Sequence, residues 1–169
     1  MAFDTEQSFQ GELMSNLSVN AAERPVVYKA GAVIFAQGKS SKHLYLVKSG
    51  KVRLIKFSGQ RLNAFELCEA GSILNEVSVL MNEPNQFAAI AKTDAELLLV
   101  EQKDISSVIK GSPSWIPDIF KTLCERLKAT QEMIEEHNLL AGEKDPSLII
   151  SKEDEKKYIE ALAAFNSKS

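Results

Sequence analysis

The chain has little of what covalently stapled, metal-dependent or catalytic proteins rely on. Its two cysteines, Cys68 and Cys124, have no metal-ligand spacing and are too few for a disulfide framework. They read as buried, reduced thiols. Its two histidines also lack company: His43 falls in a strand pattern and His137 on a helical stripe, neither with the Ser and Asp a nucleophilic triad needs. There is no Walker loop, no paired glycosidase-type carboxylates and no metal cluster. Gly31 and Gly38 are too far apart, and in the wrong context, for a dinucleotide fingerprint. No apolar run approaches the roughly 20 residues of a membrane span. The opening Met-Ala-Phe-Asp-Thr-Glu-Gln lacks the basic and apolar regions of a signal peptide. Lys and Arg number 20 against 23 Asp and Glu, a net charge of −3, which gives no support to general attraction to nucleic acid. These absences lead us to expect a cytoplasmic non-enzyme with no cofactor, no metal, no DNA and no membrane partner.

What is present is the composition of a globular protein. At 169 residues, with 44% hydrophobic and 25% charged, one domain with short appendages is expected. Residues 1–24 carry Phe9, Leu13 and Leu17 at helical spacing, with Met14 widening the stripe, so an amphipathic helix packed on the next segment is expected up to Pro25. Residues 25–138 form the main domain. Its first part alternates short β-type runs (26–28, 33–35, 43–47, 52–57, 62–67, 87–91 and 95–101) with Gly- and Ser-containing turns. That rhythm predicts a mainly β fold, an antiparallel jelly roll or barrel with flanking helices. The alternation Val52, Leu54, Lys56 suggests that some strands keep one wet side, and Ser58-Gly59 suits a tight hairpin tip.

Helices follow. A short one is expected to run from Lys103 and be capped by Gly111. A long one is expected over 114–138, with Ser114 as its cap and Pro117 in its first turn. Apolar or small residues recur at Ile116, Ile119, Phe120, Leu123, Leu127, Thr130, Ile134 and His137, and from 123 onward the steps are those of a two-stranded coiled coil. We expect the first half of this stripe to lie on the barrel and the second half to meet a copy of itself. Residues 139–169 supply a linker and a last helix from Lys152, opened by a capping box at Ser151-Lys-Glu-Asp154. Tyr158, Ile159, Leu162, Ala163 and Phe165 give that helix a docking stripe.

The most informative stretch runs from Gly71 to Lys92. Gly71 opens a turn, a short apolar helical segment follows near 75–80, Pro84 ends it, and an apolar strand resumes at Phe87. N–H groups near Asn75 to Val77 suit an anion, and Glu76 can accept from hydroxyl groups. A ligand with one phosphate and a sugar-like hydroxyl fits that combination.

This stretch resembles the phosphate-binding cassette of cyclic nucleotide-binding domains, the ligand module of the catabolite activator protein and its relatives. The resemblance extends upstream to Tyr28-Lys-Ala-Gly31, Ile34-Phe35 and Gly38, and to Leu44-Tyr45-Leu46-Val47-Lys-Ser-Gly50. It implies that Glu76 accepts a hydrogen bond from a ribose 2′-hydroxyl, and it points to Gly71, Leu74, Asn75 and Val77 as cassette residues. Asn75 replaces the family's usual Gly, a substitution that a left-handed conformation tolerates. Where the family usually carries an Arg for the cyclic phosphate, this chain has Asn85-Gln86-Phe87. Loss of such a charge-assisted pair costs about 1.5–3 kcal/mol. On the long helix Arg126 and Thr130 share a face, and the resemblance implies that they approach the phosphate and the base.

The resemblance implies a free-standing cyclic nucleotide sensor or regulatory subunit that signals through its long helix to a homodimer or a protein partner. The DNA-binding members follow that helix with a winged helix-turn-helix, and 139–169 shows no recognition-helix pattern. The alternatives are a degenerate fold without nucleotide, used as an interaction scaffold, or a site for another small anion or cyclic dinucleotide.

Overall fold

The computed structural model describes residues 25–58, 61–136 and 148–167. The expected N-terminal helix, the hairpin tip at Gly59, His137 and the greater part of the 139–150 linker lie outside the described residues. Among the described residues eight strands appear: β1 (Val26–Tyr28), β2 (Val33–Phe35), β3 (His43–Ser49), β4 (Val52–Ser58), β5 (Arg61–Cys68), β6 (Ile73–Leu74), β7 (Ala88–Ala91) and β8 (Ala95–Glu101). They form two four-stranded antiparallel sheets, ordered β1-β8-β3-β6 and β2-β7-β4-β5. Helix α1 (Glu76–Met81) interrupts the strands, and α2 (Gln102–Lys110), α3 (Trp115–Glu136) and α4 (Lys152–Asn166) follow. No helix among the described residues is long and apolar enough to cross a membrane.

The inner faces of the two sheets share a core of Phe35, Tyr45, Val47, Val52, Leu54, Leu74, Ala89, Ala91 and Leu97. Small residues on β7 allow close approach while Phe and Leu fill the remaining volume. The β3–β4 turn depends on Gly50, whose φ is +84° and whose missing Cβ would stand 2.2 Å from the Asp94 carbonyl oxygen. Any side chain there would meet backbone in a conformation that already disfavours it.

Two expectations need correction. Strand β4 has no wet side over Val52–Ile55, where even Arg53 is buried. The reason is α4, which lays Tyr158 and Leu162 over Ile55, Leu62, Ala88 and Ile90 on the outer face of the second sheet. Arg53 Nη1 donates to Tyr158 Oη at 3.5 Å. In the cassette, Ile73 and Leu74 form a two-residue strand paired with Tyr45 and Leu46, and the short helix expected near 75–80 runs Glu76–Met81. The cassette helix also ends before Pro84: Asn82 adopts the left-handed conformation as its C-cap. Gln102 Nε2 donates to the Val79 carbonyl (2.8 Å) and to Asn82 Oδ1 (3.2 Å), so the first residue of α2 serves carbonyls that the short helix leaves open. Gly111 ends α2, although in a right-handed conformation. Ser151 caps α4 as its motif requires, its Oγ accepting from Asp154 N–H at 3.1 Å.

Candidate functional site

Gly71 turns the chain with φ +93°, and its N–H donates to the Val47 carbonyl at 2.8 Å. The two residues of β6 then tie the cassette to β3. Asn75 lies in the left-handed region, φ 69°, and its Nδ2 donates to the His43 carbonyl at 3.3 Å. This single left-handed residue redirects the chain from strand into α1 and brings Glu76 over the open end between the sheets.

There a cavity of about 60 Å³ forms. Asn75, Glu76, Val77 and Ser78 line it from the cassette, Phe65 and Glu66 from β5, Gln86 and Phe87 from the loop into β7. Phe35, Leu54 and Ile73 complete its apolar floor, and Gln131 of α3 covers it. The Phe65 and Phe87 rings lie 4.5 Å apart, and Lys56 Nζ stands 5.5 Å from the centroid of Phe87. Burial pushes the Glu76 carboxyl above its ordinary range; a backbone hydrogen bond opposes this shift and the nearby Glu66 adds to it. Burial, with help from Glu66 and Glu76, pushes the Cys68 thiol up to about 12. Burial also raises Cys124, again with Glu76 nearby. Both cysteines are free and buried, so each thiol is protonated and shielded at neutral pH.

Of the residues singled out from sequence, the structure brings Asn75, Glu76, Val77 and Gln86 to this cavity and leaves the others outside its lining. Gly71 works in the turn behind it, and Leu74 is fully buried in the barrel core. Asn85 is 3% exposed and serves the scaffold: its Nδ2 donates to the Ala36 carbonyl at 3.0 Å, and its backbone pairs with Gly38 and Lys39. The cavity position falls instead to Gln86, in the bend that leads into β7. Arg126 and Thr130 are exposed, with Thr130 Oγ1 donating back to the Arg126 carbonyl at 2.9 Å.

Instead α3 turns Cys124, Lys128 and Gln131 towards the cassette. Cys124 is buried, Lys128 Nζ pairs with Glu83 at 2.7 Å, and Gln131 reaches the cavity with an Oε1 that has no hydrogen-bond partner among the described residues. These residues stand at i, i+4 and i+7, a regular helical face offset from the one expected. The heptad stripe is left uncovered even in the first half of the helix: Ile119, Phe120, Leu123 (56%) and Leu127 (42%) are exposed, as is Trp115. An apolar groove of about 300 Å³ lies between α1, α2 and α3, lined by Leu80, Met81, Ile109, Phe120 and Cys124 among others. The sequence reading missed Glu66, Phe65 and Gln131. Only an alternation count along β5 could have flagged Glu66, and nothing local marks Gln131.

Comparison with known proteins agrees with this fold. The family described as "Cyclic nucleotide-binding domain" matches residues 25–112, just over half of the chain. A "Cyclic AMP receptor protein" of Thermus thermophilus is 33% identical over 103 residues, covering 60% of this chain and 48% of that protein. The chain spans about half the length of the curated relatives it matches. Among solved structures, the N-terminal domain of a transcriptional regulator from Streptomyces coelicolor A3(2) superposes with a TM-score of 0.52 at 25% identity, covering 79% of this chain and 88% of that one. The cAMP-bound form of an EAL enzyme gives a TM-score of 0.59 at 17% identity over 69% of this chain and 32% of that one, a likeness of fold.

Proposed function

Because the chain belongs to the cyclic nucleotide-binding domain family, we propose that it is a regulatory module whose ligand is a cyclic nucleotide and whose output is the position of α3. The observation that carries this reading is one shared wall: Glu76 of the cassette and Gln131 of α3 line the same cavity. Glu76 accepts from the ribose 2′-hydroxyl, the amides of Asn75 and Gln86 meet the phosphate, and the Phe rings receive the apolar side of the ligand. Ligand sites of this size class occupy about 300 Å³ or more, against about 60 Å³ here. A nucleotide therefore needs space that displacement of Gln131, and with it α3, supplies. Binding energy is in this way coupled to the helix, and a ligand that favours the open arrangement shifts the population towards it. The exposed stripe through Leu123 and Leu127 then receives a second copy of the chain as the readout.

Calorimetry with cyclic AMP, cyclic GMP and a cyclic dinucleotide tests the reading. Binding of a cyclic mononucleotide is expected. Glu76→Ala should weaken it by about 1.5–3 kcal/mol, the value of a charge-assisted hydrogen bond. The 2′-deoxy ligand should lose a similar amount against wild type and little more against the variant, since both changes remove one interaction. Absence of heat with every nucleotide at millimolar concentration would reject the reading in favour of a scaffold without ligand.

A further inference from the structure

Helix α3 meets the cassette by one face, and the three residues on it hold unequally. Cys124 is a buried thiol, and Gln131 Oε1 has no partner among the described residues. Between them in sequence stands Lys128, whose Nζ lies 2.7 Å from Glu83 Oε2, the one ion pair between α3 and the cassette among the described residues. Its side chains are 36% and 34% exposed, against 67% and 54% for Lys121 and Glu125, which stand 3.9 Å apart on the same helix. The Lys128–Glu83 pair is thus shorter, and better shielded from water and salt, than an ordinary surface contact.

Glu83 is a fixed post. Its N–H donates to the Ser78 carbonyl at 2.9 Å, and Asn82 before it is held left-handed with Gln102 Nε2 on its Oδ1. Beyond Pro84, Asn85 is buried in the scaffold. Glu83 therefore sits in the short span between Ser78 and Gln86, both of which line the cavity. Lys128 in turn precedes Gln131 by three residues, less than one helical turn. The two ends of the pair are tied to the two walls that a ligand must part, the cassette and α3.

Resting on the nucleotide reading above, we propose that Lys128 and Glu83 are positioning residues, a latch that keeps Gln131 in the cavity and opens when a cyclic nucleotide enters. A helix moves as one body over a single turn, so displacement of Gln131 draws Lys128 away from Glu83. Glu132, four residues on and already acting on Lys128, takes over the ammonium, so opening leaves no bare cation. The latch belongs to the unliganded arrangement alone. It therefore opposes binding, and a partly exposed pair of this kind sets the populations by about two- to fivefold.

The sign of the effect separates a latch from a contact that merely supports the site. In the full chain, Glu83→Gln and Lys128→Met should each bind cyclic AMP about two- to fivefold more tightly in calorimetry. The exchanged pair, Glu83→Lys with Lys128→Glu, should return to the wild-type affinity. A second readout needs no nucleotide. Cys124, four residues before Lys128 on the same face, is 6% exposed. Its alkylation by iodoacetamide, followed by peptide mass spectrometry, reports how often α3 leaves the cassette. Both single variants should speed it by a similar factor and leave Cys68, in the barrel core, unchanged. Affinity no higher than wild type in both variants, or an unchanged Cys124 rate, would overturn the latch, while binding by wild type upholds the nucleotide reading. Should wild type bind no cyclic nucleotide, that reading and release by ligand fall together. The alkylation rate then decides the latch itself: faster modification of Cys124 in the variants upholds it, and an unchanged rate overturns it.

Discussion

At the scale of single residues, Glu76 and Gln86 are the side chains on which the site turns. Burial raises Glu76 above its unfolded value, so the folded chain holds that proton more tightly than the unfolded chain does. The corresponding stability is fully present below the unfolded carboxyl value and is lost as pH rises through the folded one. Glu76→Gln should therefore gain on wild type as pH is raised from about 5 to 7.5. Thermal unfolding across that range is the measurement, and a constant difference in Tm would contradict it. The missing cation belongs at position 86, because Asn85 is committed to the Ala36 carbonyl inside the scaffold. Gln86→Arg should tighten cyclic nucleotide binding by about ten- to a hundred-fold, whereas Asn85→Arg should damage the fold. Titration of both variants with cyclic AMP separates the two positions. Glu76 was legible in the sequence because a short motif around a turn carries its own geometry. Gln131 was not, since its place depends on how a helix more than forty residues away in sequence is rotated.

At the scale of elements, α3 is where sequence and structure diverge most usefully. Its periodicity announced a long helix with one apolar stripe, and the helix is there, Trp115–Glu136. Periodicity says nothing about which object the stripe meets. The domain holds α3 by a different face, through Cys124, Lys128 and Gln131, and leaves Leu123 and Leu127 uncovered. If that stripe is the seam between copies, Leu127→Glu buries a charge without a partner there and shifts the protein to monomer. Light scattering at micromolar concentration reads the outcome; an unchanged assembly would place the seam elsewhere. The same lesson applies in miniature to β6. Ile73 and Leu74 are too short a run to announce a strand in the sequence, but the edge of β3 at Tyr45 and Leu46 claims them as one. Pairing of backbone groups outweighs a weak local preference.

At the scale of the whole molecule, α4 decides how much of the protein is interior. With Tyr158 and Leu162 in place, Ile55, Leu62, Ala88 and Ile90 on the outer face of the second sheet are buried, and a second apolar cluster joins the barrel core. Leu162, 4% exposed, fills that cluster, so Leu162→Ala should cost about 2–4 kcal/mol. Urea unfolding checks this: a shift of midpoint with unchanged slope is expected, and a loss under about 1 kcal/mol would mean that α4 adds little to the fold.

The sequence by itself determined the strand rhythm, because period-2 faces and turn residues act over a few positions. It likewise determined the left-handed turn at Asn75, the Ser151 cap and the placement of Glu76 beside a helix start, all consequences of local backbone chemistry. Only the tertiary structure decided that Gln86 and not Asn85 lines the cavity, and that Glu66 and Gln131 line it together with Glu76. It also decided that β4 has no wet side. Each of these depends on the rotation or docking of elements distant in the chain, and such choices are made by packing and desolvation summed over both partners, which no local window of residues contains.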